Sequence, residues 1–587
     1  MGESAAAVFE VGVWEVSSKF MCAMIKVTSF LLFITLLFSS HLKAQQWLWA
    51  KCSSGVSSSV AVTEGADVAV DSKGNVYLDG DFGFDTATVT FGSYTLNCYG
   101  YLNFFLVKYD DTGNVKWAKD ASEQNCYAIG LSVAVDNEGN VYASGLFSSP
   151  TIIFGSDTLF NESQNNSNFF LVKYDSLGNV LWAKSADLGS SSLNIVTTLG
   201  IAIDPLNNVY ITGHFKGDSV SLNSVMLHFF GGFSDVFLAK YNSSGDLLWA
   251  KSAGGVDDDE GKAITIDPSG NIFLTGGYGS PINFDGNFLT SPDQYGSFLA
   301  SYDSNGNFLW AKNVADSPVV STWKISHDNS HHIYVVGEFV DTTIVAGDTL
   351  RSHGNNDMFL AKYDDLGNAI WGRSAGGEDY DGAHNVTVDA EDNVYVIGEY
   401  FSLLFQIGTD TVIGYGGIPD HDPMFIAKYD RDGNVSCITT LISGADDYVG
   451  IAATLNDAIV IGGDFYHANP FIVGSDTLIQ TSEEDAFVAK WTCDYVGIPE
   501  TSNDRHLEIF PNPVQNLLTI DLGNQITNPI ISVYDLQGRR MECKILSAGN
   551  ENSIQLNTEN LSDGFYTLQI TDKNSGKTSF AKFVKDS

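Results

Sequence analysis

The chain has 587 residues, with 30 Lys+Arg against 71 Asp+Glu, a formal net charge of −41 and a pI near 4.3. A polyanion of this strength is repelled by nucleic acid and by anionic membrane surfaces, which argues against both as partners and leaves divalent cations open. At 44% hydrophobic and 12% aromatic residues, the chain has ample material for more than one buried core.

Residues 1–44 read as a leader. Lys26, the apolar stretch Phe30–Phe38 and Leu42-Lys43-Ala44 before Gln45 have the order of a secretory signal. The apolar part is too short to span a bilayer. Nothing before Met24 fits that signal, so translation is expected to begin at Met24, with the signal at 24–44. No later segment is long and apolar enough for a membrane span.

Residues 45–494 write one pattern seven times. Phe105-Leu-Val-Lys-Tyr-Asp110 is followed by Asn114-Val-Lys-Trp-Ala-Lys119. The first half returns at Phe170, Phe237, Phe298, Phe359, Phe425 and Phe487, at spacings of 65, 67, 61, 61, 66 and 62 residues. The second half returns at Trp182, Trp249, Trp310 and Trp371, and in degenerate form around Cys437. Such a period means an array of equivalent supersecondary units. The last first half, at Phe487, has no second half after it, while Trp47-Leu-Trp-Ala-Lys51 is a second half with no first half before it. That trade predicts a closed ring in which an N-terminal strand completes the last unit and leaves no free sheet edge.

Each unit carries four strand signals, at 67–70, 75–79, 104–109 and 114–119 in the first, rich in β-branched and aromatic residues. Helical periodicity is absent. Asp-x-x-Gly-Asn closes two hairpins per unit, as at Asp71–Asn75 and Asp110–Asn114. There Asp accepts backbone N–H bonds and Gly supplies the positive φ of a type I turn with a bulge. The turn lacks the alternating ligands and downstream Glu of a calcium loop. The recurring Trp shares a face with the residue two before it and is expected to pack between units rather than bind a ligand. Cys437 takes its place in the sixth unit, where packing should differ. The expected fold is therefore all-β: a seven-bladed β-propeller closed by an N-terminal strand, followed by a small β-sandwich.

That second domain is expected at 508–587, after a linker at 495–507. Residues 503–587 hold 8 Lys+Arg and 10 Asp+Glu, so the preceding part carries nearly all of the negative charge. Alternating apolar strands at 517–521, 531–534, 565–570 and 580–585 are joined by Asp-Leu-Gln-Gly and Ser-Asp-Gly turns. These stretches resemble the type A C-terminal sorting domain of proteins exported by the type IX secretion system of Bacteroidetes. The matching blocks are Phe510-Pro-Asn-Pro513, Val533-Tyr-Asp-Leu-Gln-Gly538, Leu561-Ser-Asp-Gly-Phe-Tyr566 and Lys582-Phe-Val-Lys585. The resemblance implies that the secretion machinery is a partner and that the protein is released or held at the outer surface. The units themselves resemble bacterial β-propeller repeats of large secreted proteins, through Asp-x-x-Gly-Asn-Val-Tyr and Phe-Leu-x-Lys-Tyr-Asp leading to Trp. That family implies architecture and little biochemistry.

Three acidic, Gly-rich loops recur at one position in the unit, at 254–261, 376–382 and 444–448. Their carboxylates, Asp257, Asp258, Asp259, Glu260, Glu378, Asp379, Asp381, Asp446 and Asp447, are candidate Ca²⁺ ligands, set against a bland reading as solvated turns. Asp-Thr-Leu at Asp157, Asp348 and Asp476, with variants at Asp85, Asp218 and Asp410, resembles the Bacteroidetes O-glycosylation acceptor; the alternative is a repeated turn. Among the cysteines outside the leader, Cys98 with Cys126 is the expected pair, and Cys52 with Cys493 is not. No nucleophile elbow, zinc helix or phosphate loop occurs. The expected function is a secreted or surface-displayed binding and adhesion module for glycan or protein, with no transmembrane segment. The alternatives are an extracellular polysaccharide lyase or hydrolase, and a passive surface scaffold.

Overall fold

The computed structural model describes residues 46–55, 62–84, 87–121, 127–162, 166–189, 194–217, 220–292, 294–315, 320–414, 423–442, 449–466, 471–493, 508–510, 514–521, 529–534, 540–541, 543–547, 553–562, 564–573 and 578–585. The leader and the linker of the sequence reading lie outside these residues. Among them the regular structure is strand, with no helix. The chain divides into two compact units, Met1–Tyr495 and Val496–Ser587.

The first unit holds, among the described residues, seven sheets with one common order of four antiparallel strands. Sheet 1 runs Val62–Val70, Val76–Gly83, Leu102–Tyr109 and Val115–Asp120 from its inner to its outer strand. Sheets 2 to 6 repeat this order from inner strands Ala128–Val135, Ile195–Ile203, Asp259–Ile266, Val320–His327 and Asp381–Val388. Sheet 7 consists of Gly450–Ala453, Ala458–Phe465 and Asp485–Thr492, with Gln46–Cys52 as its outer strand. The register runs from Gln46 opposite Thr492 to Cys52 opposite Phe487. Each inner strand packs against the inner strand of the next sheet, and that of sheet 7 packs against that of sheet 1. A short hairpin separates the second and third strands of each repeat, and in two places it extends the preceding sheet to six strands.

The repeated residues account for this regularity. Every Asp-x-x-Gly-Asn turn has the bond from the Gly N–H to the Asp carbonyl, with Gly74, Gly113 and Gly178 each at φ +81°. The Asp71 carboxylate is filled from within. Oδ1 accepts the N–H groups of Lys73 and Asn75, and Oδ2 accepts Asn75 Nδ2 and Tyr77 OH. Lys108 Nζ lies 4.0 Å from the same oxygen and 4.9 Å over the Tyr77 ring. The set recurs as Asp136, Tyr142 and Lys173, and as Asp204, Tyr210 and Lys240. Burial works against ionisation of Asp204, but bonds from Asn208 and Tyr210 and the Lys240 ammonium outweigh it and hold the carboxyl below its ordinary range.

The Trp side chains join one sheet to the next. Trp49, Trp117, Trp182, Trp249, Trp310 and Trp371 donate Nε1–H to carbonyls of Asp111, Ser176, Ser243, Ser304, Asp365 and Arg431, each in the outer turn of the following sheet. The ring lies on the turn glycine: a Cβ on Gly178 would come within 3.0 Å of Trp117. The Trp is thus a packing residue between repeats, as its position in the pattern indicates. At the sixth position a disulfide from Cys437 to Cys493 replaces the indole bond. This corrects the expected pairing: Cys98 is a buried free thiol, and Cys126 lies outside the described residues.

The second unit contains two four-stranded sheets. One orders Glu508–Phe510, Leu517–Asp521, Ser553–Asn557 and Lys544–Ser547; the other orders Arg540–Met541, Pro529–Tyr534, Gly564–Asp572 and Thr578–Lys585. Val514, Leu518, Ile520, Val533, Leu556, Leu568, Ile570 and Phe583 form one core between them. The Pro-Asn-Pro block at 511–513 and the turn at 535–539 lie outside the described residues.

Candidate functional site

The acidic loops use their carboxylates to hold backbone. Asp259 is fully buried and accepts the N–H groups of Gly255 at 2.6 Å and Gly279 at 3.1 Å. Burial, with Asp235 and Asp258 nearby, pushes its carboxyl up to about 8. Asp381 repeats the arrangement with Gly377 N–H and both donors of Ser402, and burial pushes it to about 6. Asp258 accepts Phe233 N–H at 2.6 Å, and Asp379 accepts Asn355 Nδ2 and Tyr380 N–H. Asp257 packs against Gly279, and Glu378 is exposed beside Gly354. Asp446 and Asp447 lie outside the described residues. Among the described residues, the one set of three or more ligand groups close enough to share an ion is Asp389, Glu391 and Asp457, none of which belongs to these loops. Asp389 already accepts two N–H groups, Asn393 Nδ2 and Tyr395 OH.

Asp157, Asp348 and Asp476 accept the backbone N–H groups of Ala183, Gly372 and Ala50, so each ties a peripheral hairpin to its neighbouring outer strand. The hydroxyl-bearing Thr158, Thr349, Thr411 and Thr477 are exposed. Asp85 and Asp218 lie outside the described residues.

Two columns running around the repeats depart from uniformity and meet in one place. The first is a β-bulge in the inner strand of sheets 1 to 6, whose extra residue is Ala66, Leu131, Leu199, Lys262, Trp323 and His384 in turn. Bulges re-aim one side chain out of the pleat. In sheets 4 to 6 the re-aimed groups stack: Lys262 Nζ lies 3.9 Å over the Trp323 ring, and Trp323 lies parallel to His384 with centroids 6.1 Å apart. His384 Nε2 is 3.3 Å from Glu399 Oε1. Burial pulls the Lys262 ammonium below its ordinary range, against the attraction of Glu260 and Glu338.

The second column is the residue after the Gly of each second strand. It reads Asp81, Leu146, His214, Gly277, Glu338, Glu399 and Asp464. Across the sheets their third-strand partners are Phe104, Phe169, Val236, Ser297, Met358, Met424 and Ala486. Sheet 4 alone puts Gly and Ser at this pair. A Cβ on Gly277 would meet nothing within 4 Å. The space left is a cavity of about 230 Å³ lined by Asp258, Glu260, Lys262, Tyr278, Tyr295, Ser297, Ser321 and Thr322 among others. Tyr295 is 52% exposed at its mouth. A larger hollow of about 310 Å³ by the peripheral hairpins is lined by Met226, His228, Phe230 and the Lys251–Asp285 ion pair, with no convergence of buried polar groups.

On sheet 1 the same column is acidic. Asp79 and Asp81 are 0% and 2% exposed, and each keeps an Oδ2 without a hydrogen-bond partner among the described residues. Burial raises both carboxyls well above the usual range, helped at Asp81 by Glu64, Asp464, Asp79 and Glu484 and at Asp79 by Asp67. Sequence reasoning placed the working surface at the acidic loops. It missed the bulge residues and Gly277, although the run Gly-Asp-Phe, Gly-Leu-Phe, Gly-His-Phe, Gly-Gly-Tyr, Gly-Glu-Phe is a visible signal.

Comparison with known proteins bears on the two units separately. Residues 508–586 match the family described as Secretion system C-terminal sorting domain. The second unit carries the export signal. The chain is therefore a cargo of the type IX machinery, sent to the outer cell surface or released from it. An uncharacterized WD repeat-containing protein of Acanthamoeba polyphaga mimivirus is 25% identical over 538 residues, covering 73% of this chain. The match spans only 37% of that protein's length. Among solved structures, a protein of unknown function from Dyadobacter fermentans is 9% identical with a TM-score of 0.32, covering 76% of this chain and 99% of its own. PorZ of Porphyromonas gingivalis, described as an essential surface component of the type-IX secretion system, is 9% identical with a TM-score of 0.12. It covers 90% of this chain and 100% of its own. Likeness at these scores carries no argument about the chain.

Proposed function

We propose that residues 45–494 form a seven-bladed β-propeller, closed by Gln46–Cys52, that acts outside the cell as a non-catalytic binding module for glycan. The fold reading is supported by the common strand order of the sheets, the cyclic contacts of their inner strands and the completion of sheet 7 by the N-terminal strand. The WD repeat-containing relative agrees with it. The observation that carries the binding reading is the departure of sheet 4 from the repeat. Gly277 and Ser297 leave an open, polar-lined cavity where the other repeats place larger pairs.

Binding is favoured over polysaccharide cleavage by the state of the carboxylates. Glycoside cleavage needs a reachable carboxyl pair, one of them able to give a proton. The carboxyls that burial raises furthest, Asp79, Asp81, Asp235 and Asp259, are closed to solvent and so to a polymer. At the open cavity, Glu260 and Glu338 instead face a shared ammonium, Lys262.

The test is a glycan array probed with the full secreted chain, with calcium and again with chelator. Selective binding is the expected result, and its loss in chelator would give the acidic loops a metal. A blank array in both conditions would overturn the glycan reading in favour of a protein partner or a scaffold.

A further inference from the structure

The cavity beside Gly277 also limits what can enter it. Its floor on sheet 4 is the row Glu260, Gly277, Ser297, and Glu338 stands opposite Ser321 on the facing sheet 5. The groups around it are of mixed sense. Glu338 is 9% exposed, and its Oε2 is an acceptor with no partner among the described residues. Trp323 Nε1, two residues beyond Ser321, is a buried donor with none. Ser297 donates its hydroxyl to Val320 O at 2.5 Å and keeps its lone pairs. Glu338 and Trp323 stand behind the lining, and the groups a ligand reaches are the Asp258 and Glu260 carboxylates, the Lys262 ammonium and the hydroxyls of Ser297, Ser321 and Thr322.

The charges narrow the choice. Asp258, Glu260 and Lys262 line the cavity, Glu260 and Glu338 attract the Lys262 ammonium, and the Trp323 ring is taken up by Lys262 above it and by stacking with His384. An anionic group would enter against two lining carboxylates, with Glu338 behind them competing for the one ammonium. An apolar group would strip water from them without compensation. A hydroxyl group both donates and accepts, so it serves the lining carboxylates, the Lys262 ammonium and the Ser297 and Ser321 hydroxyls alike. A volume of about 230 Å³ is of the size of one sugar ring, and Tyr295 offers an aromatic wall at the entrance.

Building on the glycan-binding reading above, we propose that this cavity takes a single neutral pyranose, a terminal or branch sugar without a carboxylate. It is a pocket for one residue rather than a groove for a chain.

The experiment uses saturation-transfer NMR and calorimetry on the full chain, with methyl glycosides of neutral hexoses, N-acetylglucosamine and glucuronate as probes. Gly277→Leu is the matched variant, because Leu146 already occupies this position in sheet 2 and the added side chain enters open space. Glu338→Gln is the second variant, keeping the shape and removing the charge. The expected result is binding of at least one neutral glycoside, weakened roughly tenfold or more by Gly277→Leu and less by Glu338→Gln, with unchanged thermal melting. Glucuronate binding more tightly than every neutral probe would overturn the ligand class. Neutral binding that survives Gly277→Leu would overturn the pocket. Binding of polymers on the array with no monosaccharide response would overturn the single-residue site while leaving glycan binding in place. Silence from both would overturn the parent reading.

Discussion

At the scale of single residues, the repeat is held by glycines with two separate duties. Gly139 and Gly178 both sit in Asp-x-x-Gly-Asn turns, at φ +83° and +81°. A Cβ on Gly139 would find its nearest neighbour at 3.9 Å, whereas one on Gly178 would come to 2.7 Å from Lys119 and 3.0 Å from Trp117. Gly139→Ala therefore carries only the left-handed backbone strain, about 1 kcal/mol. Gly178→Ala adds displacement of a buried indole, raising the loss to about 2–3 kcal/mol. Urea denaturation of the two variants checks this, and equal losses would show that the indole gives way freely. The Asp of these turns was readable from the sequence because its partners lie within six residues. Gly277 was not singled out, because its meaning lies in the missing side chain of one repeat measured against six others. Lys262, Trp323 and His384 were hidden for a related reason: a bulge shifts them out of the alternation by which strand faces are read.

Titration belongs to the residue scale too. Asp235, Asp259 and Asp381 are pushed by burial to about 7, about 8 and about 6, from 3.8. A carboxyl raised on folding binds its proton more tightly in the native state. Its contribution is present below pH 4 and lost as pH rises towards 8. Carboxyls held below the ordinary range, such as Asp204 and Asp328, contribute above pH 4 and lose that contribution in acid. Melting temperature is therefore expected to peak near pH 4–5 and to fall towards pH 8.5. Asp259→Asn should flatten the fall. A melting temperature constant between pH 5 and 8.5 would contradict the burial of these groups.

At the scale of elements, the decisive strand is Gln46–Cys52. It covers the edge of Asp485–Thr492, places Trp49 on the turn of sheet 1 through the Asp111 carbonyl, and receives the Asp476 carboxylate at Ala50 N–H. The fold reading rested on counting halves of a pattern, and pairing of this strand is what that count requires. Deleting Gln46–Cys52 removes six cross-strand pairs and bares a long, apolar edge. The deleted chain should melt at least 10 °C lower and self-associate in sizing chromatography. An unchanged melting point with a monomeric peak would remove the case for closure. The disulfide was not legible in the same way. Cys437 looks like a degenerate Trp, and the register that carries it to Cys493 emerges only when the neighbouring sheets are placed side by side.

At the scale of the whole molecule, the two units divide the labour of address and cargo. The sorting unit has its own core, made of Val514, Leu518, Ile520, Val533, Leu556, Leu568, Ile570 and Phe583, and its sequence matches the sorting-domain family. The cargo unit holds the Trp bonds, the bulge stack and the cavity, none of which draws on residues beyond Tyr495. Export and binding should therefore separate cleanly. A chain ending at Tyr495 should keep the melting transition and the sugar response of the full chain, because every strand pairing of the seven sheets lies within it. It should also accumulate in the periplasm, because the machinery has lost the element it reads. Fractionation of cells expressing both forms measures the second point, and calorimetry on the purified forms measures the first. Surface display of the shortened chain would contradict the assignment of address to the second unit. Loss of its folding transition would mean that the cargo needs the sorting unit as part of its structure.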